Sequence, residues 1–288
     1  MIRFETIADL VQLATEEASP ISEIVLRSEA ESSRQSRFAV MATMGENWRV
    51  MKESIERGVE NRERSLSGLT GGDAEKLFAR RNKGYLGAAA LAAAAYAVGV
   101  SEVNAAMGRI VACPTAGSCG IVPAALYTAM KQGKSEEAII QSLFTAAGIG
   151  MVIEANASIA GATGGCQAEC GSAAGMAAAA LTELGGGDPE MVSHAAALAI
   201  KNLLGLVCDP VAGLVEVPCV KRNGFAAVYA MLAADMALAG VRSVIPADEV
   251  IEAMERIGRA LPRTLKETAE GGLAMTTTAQ KITQKLYG

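Results

Sequence analysis

The chain of 288 residues contains a single histidine and few aromatic side chains: one Trp, five Tyr and five Phe, 4% in all. One histidine removes zinc sites of the His-rich kind, and it leaves His194 as the sole partner for any Ser–His or Cys–His catalytic pair. Positive charge is not in excess. Lys and Arg number 26 against 31 Asp and Glu, a net charge of −5, which excludes the basic face that a nucleic-acid binder needs. No stretch of useful length alternates apolar and polar residues with period two, so strands are not expected. The opening MIRFETIADLVQLATEEASP lacks a basic segment followed by an apolar one and is not read as a secretory signal. A cytoplasmic location is expected, where six thiols are more often buried, metal-binding or catalytic than paired as disulfides.

What is present in quantity is small: about 55 Ala inside a hydrophobic content of 51%, and 30 Gly besides. A chain of this length buries a sizeable core without staples and is expected to form one structural domain overall. Mean hydropathy is positive, at +0.27. The longest uncharged run, Ile110 to Met130, holds Pro114 and Pro123, which a lipid-facing helix tolerates poorly, and the run Gly84 to Ser101 is mostly Ala and Gly. Neither has the aromatic belt or basic flank of a membrane span, and both are read as buried helices.

The pattern predicts an all-α, Ala- and Gly-rich fold with cysteine-bearing loops. A helix is expected over 5–18. Ser19-Pro20 then starts another, with Ser as cap and Pro in the first helical position, and the helical pattern continues to about Arg64. Met41, Met44, Trp48, Met51 and Ile55 share one face by their spacing, as core or as a packing surface for another chain. The loop Ser67 to Gly72 divides a polar arm, residues 1–66, from an apolar catalytic domain, 67–288. Helices follow over 73–81, 86–107, 120–131, 135–152, 170–184, 189–204, 223–240 and 247–259. Asp188-Pro189-Glu190 is a helix start, with cap, Pro and acid in order, and the glycines 185–187 end the helix before it.

Three segments break this pattern and hold every cysteine: Cys113 to Gly120, Asn156 to Gly171, and Cys208 to Asn223. Each leads toward a helix start, where unsatisfied N–H groups and the helix dipole favour anions such as a substrate carboxylate or thiolates. The spacings Cys166 to Cys170 and Cys113 to Cys119 are not standard zinc or ferredoxin runs. Free Cys is commonly a small buried apolar residue, so spacing alone leaves packing and metal binding both open.

The sequences CPTAGSCGIVPA, NASIAGATGG, GGCQAECG and VCDPVAGLVEVPCVKRN, taken together and in this order along the chain, resemble the iron–sulfur L-serine dehydratases, most closely the α chain of the two-chain form. The resemblance extends from about Ser67 to the C-terminus. It implies that Cys166, Cys208 and Cys219 hold a [4Fe–4S] cluster with one iron free of protein thiolate, and that Lys221 and Arg222 offset its charge. Pro210 and Pro218 then keep the ligand regions from becoming helix. Cys113, Cys119 and Cys170 are left as packing residues. The implied reaction is dehydration and deamination of L-serine to pyruvate and ammonia. The open iron acts as Lewis acid on the β-hydroxyl, a base takes the Cα proton, and no pyridoxal phosphate is involved. Thr115, Gly117 and Ser118 are expected around the carboxylate, and Asn156 and Ser158 at the amino or hydroxyl group. No residue is singled out as the base.

Three departures from relatives stand out: Ala116 in place of an Asn, Ile200-Lys201-Asn202-Leu203 without a His-Asn pair, and a tail, QKLYG, without Cys. No β-type region is found in the chain, so a β chain is the expected partner. Two other readings are carried: a related cluster-dependent L-cysteine desulfidase, and a non-catalytic iron–sulfur sensor or scaffold subunit.

Overall fold

The computed structural model describes residues 2–60 and 64–288. Within them the chain forms α1 (Ile7–Glu16), α2 (Ile21–Ser33), α3 (Arg37–Glu60), α4 (Asp73–Arg80), α5 (Gly87–Ala105), α6 (Ile121–Lys131) and α7 (Glu136–Asn156). The short α8 (Gly161–Gly164) follows, then α9 (Ser172–Leu184), α10 (Pro189–Lys201), α11 (Cys219–Leu238), α12 (Ala247–Ala260) and α13 (Thr277–Tyr287). No strand occurs among the described residues; one isolated parallel bridge joins Cys208 to Lys266. The all-α expectation holds.

Local chemistry sets several of the helix starts. Thr6 and Asp9 form a reciprocal capping box on α1, and Ser135, Asp188 and Thr276 accept from backbone N–H groups at the starts of α7, α10 and α13. The Asp188 bond is 2.8 Å, with Pro189 in the first turn as the sequence predicts.

The start of α2 differs from expectation. Pro20 itself is the N-cap, with no side-chain cap bond, and the Ser19 hydroxyl donates to Glu17 O at 3.2 Å. The long helical stretch expected to about Arg64 is two helices, because Arg34 takes a left-handed φ of 56° and closes α2. Its far end falls partly on residues 61–63, which lie outside the described residues; Arg64 is not helical. Helix α11 begins four residues earlier than 223, and α13 was not anticipated.

Helix α9 lies at the centre, packed against α6, α7, α10 and α11, while α5 packs against α3, α4, α6 and α11. Small residues make this possible. Ala173 to Ala180 of α9 are all buried, and helices so lined approach closely. Where α3 crosses α5 the backbones themselves touch: a Cβ on Gly58 would lie 2.3 Å from the carbonyl carbon of Gly99. The stripe on α3 faces inward, with Trp48, Met51 and Ile55 buried and Met41 and Met44 packed on the same core. Trp48, Tyr127, Tyr96 and Phe78 form a chain of ring contacts 5.0–6.4 Å apart.

Acidic side chains tie α1 and α2 to later helices. Asp248 of α12 accepts from Ile7 N (2.7 Å) and Ala8 N (3.0 Å), and Glu183 of α9 accepts from Ser22 N (3.2 Å). Two helices, α5 and α7, are long and apolar enough to cross a membrane by length and composition. Yet 67% and 61% of those spans are buried inside the protein; α5 falls on the run Gly84 to Ser101, read from the sequence as a buried helix, whereas α7 is not among the runs weighed there.

Candidate functional site

Five buried or half-buried polar side chains bring the three cysteine segments to the same end of α9 and α11. Asn223 of α11 holds the 113–120 loop: Oδ1 accepts from Gly120 N (3.0 Å) and Nδ2 donates to Gly117 O (2.8 Å) and to Cys219 O (3.0 Å). Gln167 joins three parts. Its Nε2 donates to Met254 O (2.8 Å), its Oε1 accepts from Gly205 N (2.9 Å), and its backbone N donates to Leu206 O (2.9 Å). Arg222 donates to Asp209 (2.9 Å) and to Val207 O (2.8 Å), and Asp209 also accepts from Leu273 N (2.8 Å). The 263–275 stretch thereby straps the Cys208 segment, with Cys208 N donating to Leu265 O (2.9 Å) and Glu267 N to Cys208 O (2.8 Å). Glu216 accepts from Ser65 and Ser67 and anchors the far side of that loop.

The expectation that every cysteine lies in a loop needs correction. Cys113, Cys119 and Cys208 are non-helical, but Cys219 is the first residue of α11. Cys166 is helical, and Cys170 lies in a five-residue π-helical turn, Gln167–Gly171, that runs into α9. The bonds of Gln167 hold this turn against α12 and the 205–206 backbone, which a Gly-rich sequence does not reveal. Such π turns are common at functional sites.

All six thiols are free and buried. Cys166 and Cys170 are 3.5 Å apart, sulfur to sulfur. The Cys170 bond and the Arg222 guanidinium both favour the Cys166 thiolate and lower its pKa, whereas that same bond, with burial, raises Cys170. Burial pushes Cys219 up to about 12 and Cys208 higher still, and the charge of Cys166 adds to both shifts. Cys166, Cys208 and Cys219 are thus within electrostatic reach of one another. Among the described residues no three His, Cys, Asp or Glu side chains are gathered closely enough to hold one metal ion. Cys113 and Cys119 sit apart at the base of their loop, where the Cys113 thiol bonds to Cys119 O (3.6 Å); burial raises Cys119 to about 12.

Between these segments stands Glu169, only 8% exposed. Its Oε1 accepts from the Thr115 hydroxyl at 2.6 Å. Burial raises its carboxyl above the ordinary range; the Thr115 bond opposes this, and the charge of Glu267 adds to it. A Cβ on Gly117 would lie 2.6 Å from Glu169 Oε1, and one on Gly161 would lie 2.8 Å from Oε2 and 3.2 Å from Cys208 Sγ.

Of the expected substrate contacts, Thr115 and Gly117 therefore meet at Glu169. Ser118 is buried beside them, its hydroxyl 3.2 Å from that of Thr115. Ser158 accepts from Ala160 N through its hydroxyl (3.2 Å), and its own N donates to Glu255 (3.0 Å). Asn156 is engaged elsewhere, its amide donating to Glu5 O (2.8 Å) and Val152 O (2.9 Å). His194 lies within α10 with Nε2 buried and unpartnered. Sequence reasoning passed over Glu169, Gln167, Asp209 and Asn223. For Glu169 a signal exists: it is the only charged residue between Glu154 and Glu183. A cleft of about 490 Å³ opens onto Cys170 and Arg222 and is walled by Asn202, Leu206, Phe225 and Tyr229.

The chain matches the family model described as serine dehydratase alpha chain over residues 16–274. It is 49% identical over 288 residues to a probable L-serine dehydratase alpha chain of Bacillus subtilis, covering 99% of this chain and 96% of that one. It is 42% identical over 280 residues to the L-serine dehydratase alpha chain of Peptoniphilus asaccharolyticus, with 96% of each chain covered. An L-serine dehydratase of Streptomyces coelicolor is 42% identical over 282 residues, which cover 94% of this chain and 61% of that longer protein.

Proposed function

Because the chain belongs to the serine dehydratase alpha chain family, we propose that it is the α chain of an iron–sulfur-dependent L-serine dehydratase, a lyase that works with a β chain and without pyridoxal phosphate. In this reading Cys166, Cys208 and Cys219 hold a [4Fe–4S] cluster. The observation that carries it is the convergence of three buried thiols from separate segments, two of them raised by burial and by the charge of the third, Cys166. Buried thiols so placed need a positive partner to ionise, and soft thiolates are the donors that iron–sulfur clusters take. A cluster of several irons is held from around its outside, so its donors need not gather at the spacing of a single ion. The residues fit the group.

When bound, a cluster with one iron free of protein thiolate supplies a Lewis acid for the β-hydroxyl of serine. The chain's own residues do the rest. Arg222, fixed by Asp209 and Val207 O, offers Cys166 a nearby cation. Thr115, Gly117 and Ser118, held in place by Asn223, bring polar groups to the substrate carboxylate. Loss of the Cα proton and of the β-hydroxyl leaves aminoacrylate, whose imine form hydrolyses to pyruvate and ammonia.

The test is anaerobic purification with the partner chain, iron and sulfide analysis, and a pyruvate assay. About four irons per α chain and pyruvate formed from L-serine are expected. A careful reconstitution that yields no cluster overturns the reading.

A further inference from the structure

We propose that Glu169 recognises the α-ammonium group of the substrate and so makes the site selective for amino acids over hydroxy acids that lack the amine. This inference rests on the serine-dehydrating reading above and adds a role to a residue of the same site.

Glu169 is a nine-tenths-buried carboxylate with no cation paired to it among the described residues. Its Oε1 accepts from Thr115, while Oε2 has no hydrogen-bond donor among the described residues. Arg222, the cation beside Cys166, is engaged with Asp209 and Val207 O. The charge of Glu267 also acts on Glu169, so the surroundings add negative charge rather than remove it. A carboxylate buried this far with one oxygen unpaired gains from a ligand that completes it.

Two positions against the carboxylate admit only glycine. Gly117 and Gly161 come from different segments, and both face the carboxylate at positions where a single Cβ would collide with it. The Gly161 position also touches Cys208 Sγ, so Oε2 of Glu169 adjoins one of the proposed cluster ligands. A small molecule whose hydroxyl is at the cluster and whose carboxylate is at Thr115–Ser118 places its third substituent, the ammonium, next to Oε2. An ammonium has three donors and a full positive charge, and it fits a carboxylate with one oxygen free.

The test uses the holoenzyme with its β chain and two probes: L-serine, and 3-hydroxypropanoate, which is serine without the amine. In the wild type, 3-hydroxypropanoate is expected to bind at least about 100-fold more weakly than L-serine, as loss of a buried charge pair requires. E169Q is expected to raise KM for L-serine at least about 30-fold. It should leave the inhibition constant of 3-hydroxypropanoate unchanged or lower it, and iron content and helicity should stay at wild-type levels; E169D should recover part of the loss. Equal weakening of both ligands overturns the proposal, as does a fall in kcat at unchanged KM, which would make Glu169 a base. If E169Q does not assemble, the wild-type comparison decides, because equal binding of the two probes contradicts an ammonium site. A wild-type complex that forms no pyruvate from serine instead overturns the reaction itself, and this proposal with it.

Discussion

Helix α9 and the turn that leads into it are neighbours in sequence and opposites in construction. From Ala173 to Ala180 every side chain is small and buried, with Met176 as the one exception to size, and this stretch holds its place by close approach. From Cys166 to Gly171 the same degree of burial includes Gln167 and Glu169, with polar partners on other segments, and two thiols that meet each other. The frame is general: any similar set of small residues would pack much as this one does. The site is particular, because each buried polar group must find its own partner or cost stability.

That difference can be broken from either side. The largest effect is expected at the Arg222–Asp209 pair, whose side chains are 16% and 4% exposed. R222A leaves Asp209 buried without its cation and takes the positive charge from Cys166. A loss of about 3–5 kcal/mol of stability is expected, with reduced iron content, read by chemical denaturation and metal analysis. N223A comes next. It orphans Gly120 N and Gly117 O together, and about 3 kcal/mol should be lost, with weaker serine binding as the 113–120 loop loosens. G58A strikes the frame instead, forcing α3 away from α5 at a backbone contact. It should cost about 2 kcal/mol yet leave iron content and KM unchanged, and a KM change there would blur the division between frame and site. The smallest effect is T6A, which removes the α1 cap and should cost about 1 kcal/mol in thermal unfolding with no change in activity.

The frame was largely legible in the sequence because its rules are local. Asp188-Pro189 announced α10, the spacing of Trp48, Met51 and Ile55 announced the inner face of α3, and glycines 185–187 ended α9. Where local signals were missing the reading failed. Nothing in Arg34-Gln35 marks a helix break, since the left-handed residue is an arginine rather than a glycine, and the polar α13 carries little apolar periodicity to find.

The site was legible in part. The motifs selected Cys166, Cys208 and Cys219, and the loop Thr115–Ser118 does meet the Cys166–Gly171 turn. What the sequence could not supply was long-range pairing. The Asn223 bond to Gly120 and the Gln167 bond to Met254 join residues far apart in the chain, and they explain why the first two segments sit where they do. Asn156, placed by sequence reasoning beside the substrate, is the last residue of α7 and holds the backbone of Glu5.

The central claim is that three of six buried thiols hold a cluster and the other three pack. Iron and labile sulfide should be counted in anaerobically reconstituted complexes carrying C166A, C208A, C219A, C113A or C119A, one at a time. Loss of cluster iron and visible absorbance is expected in the first three and retention in the last two. Full cluster content in C166A, C208A and C219A alike would contradict the claim.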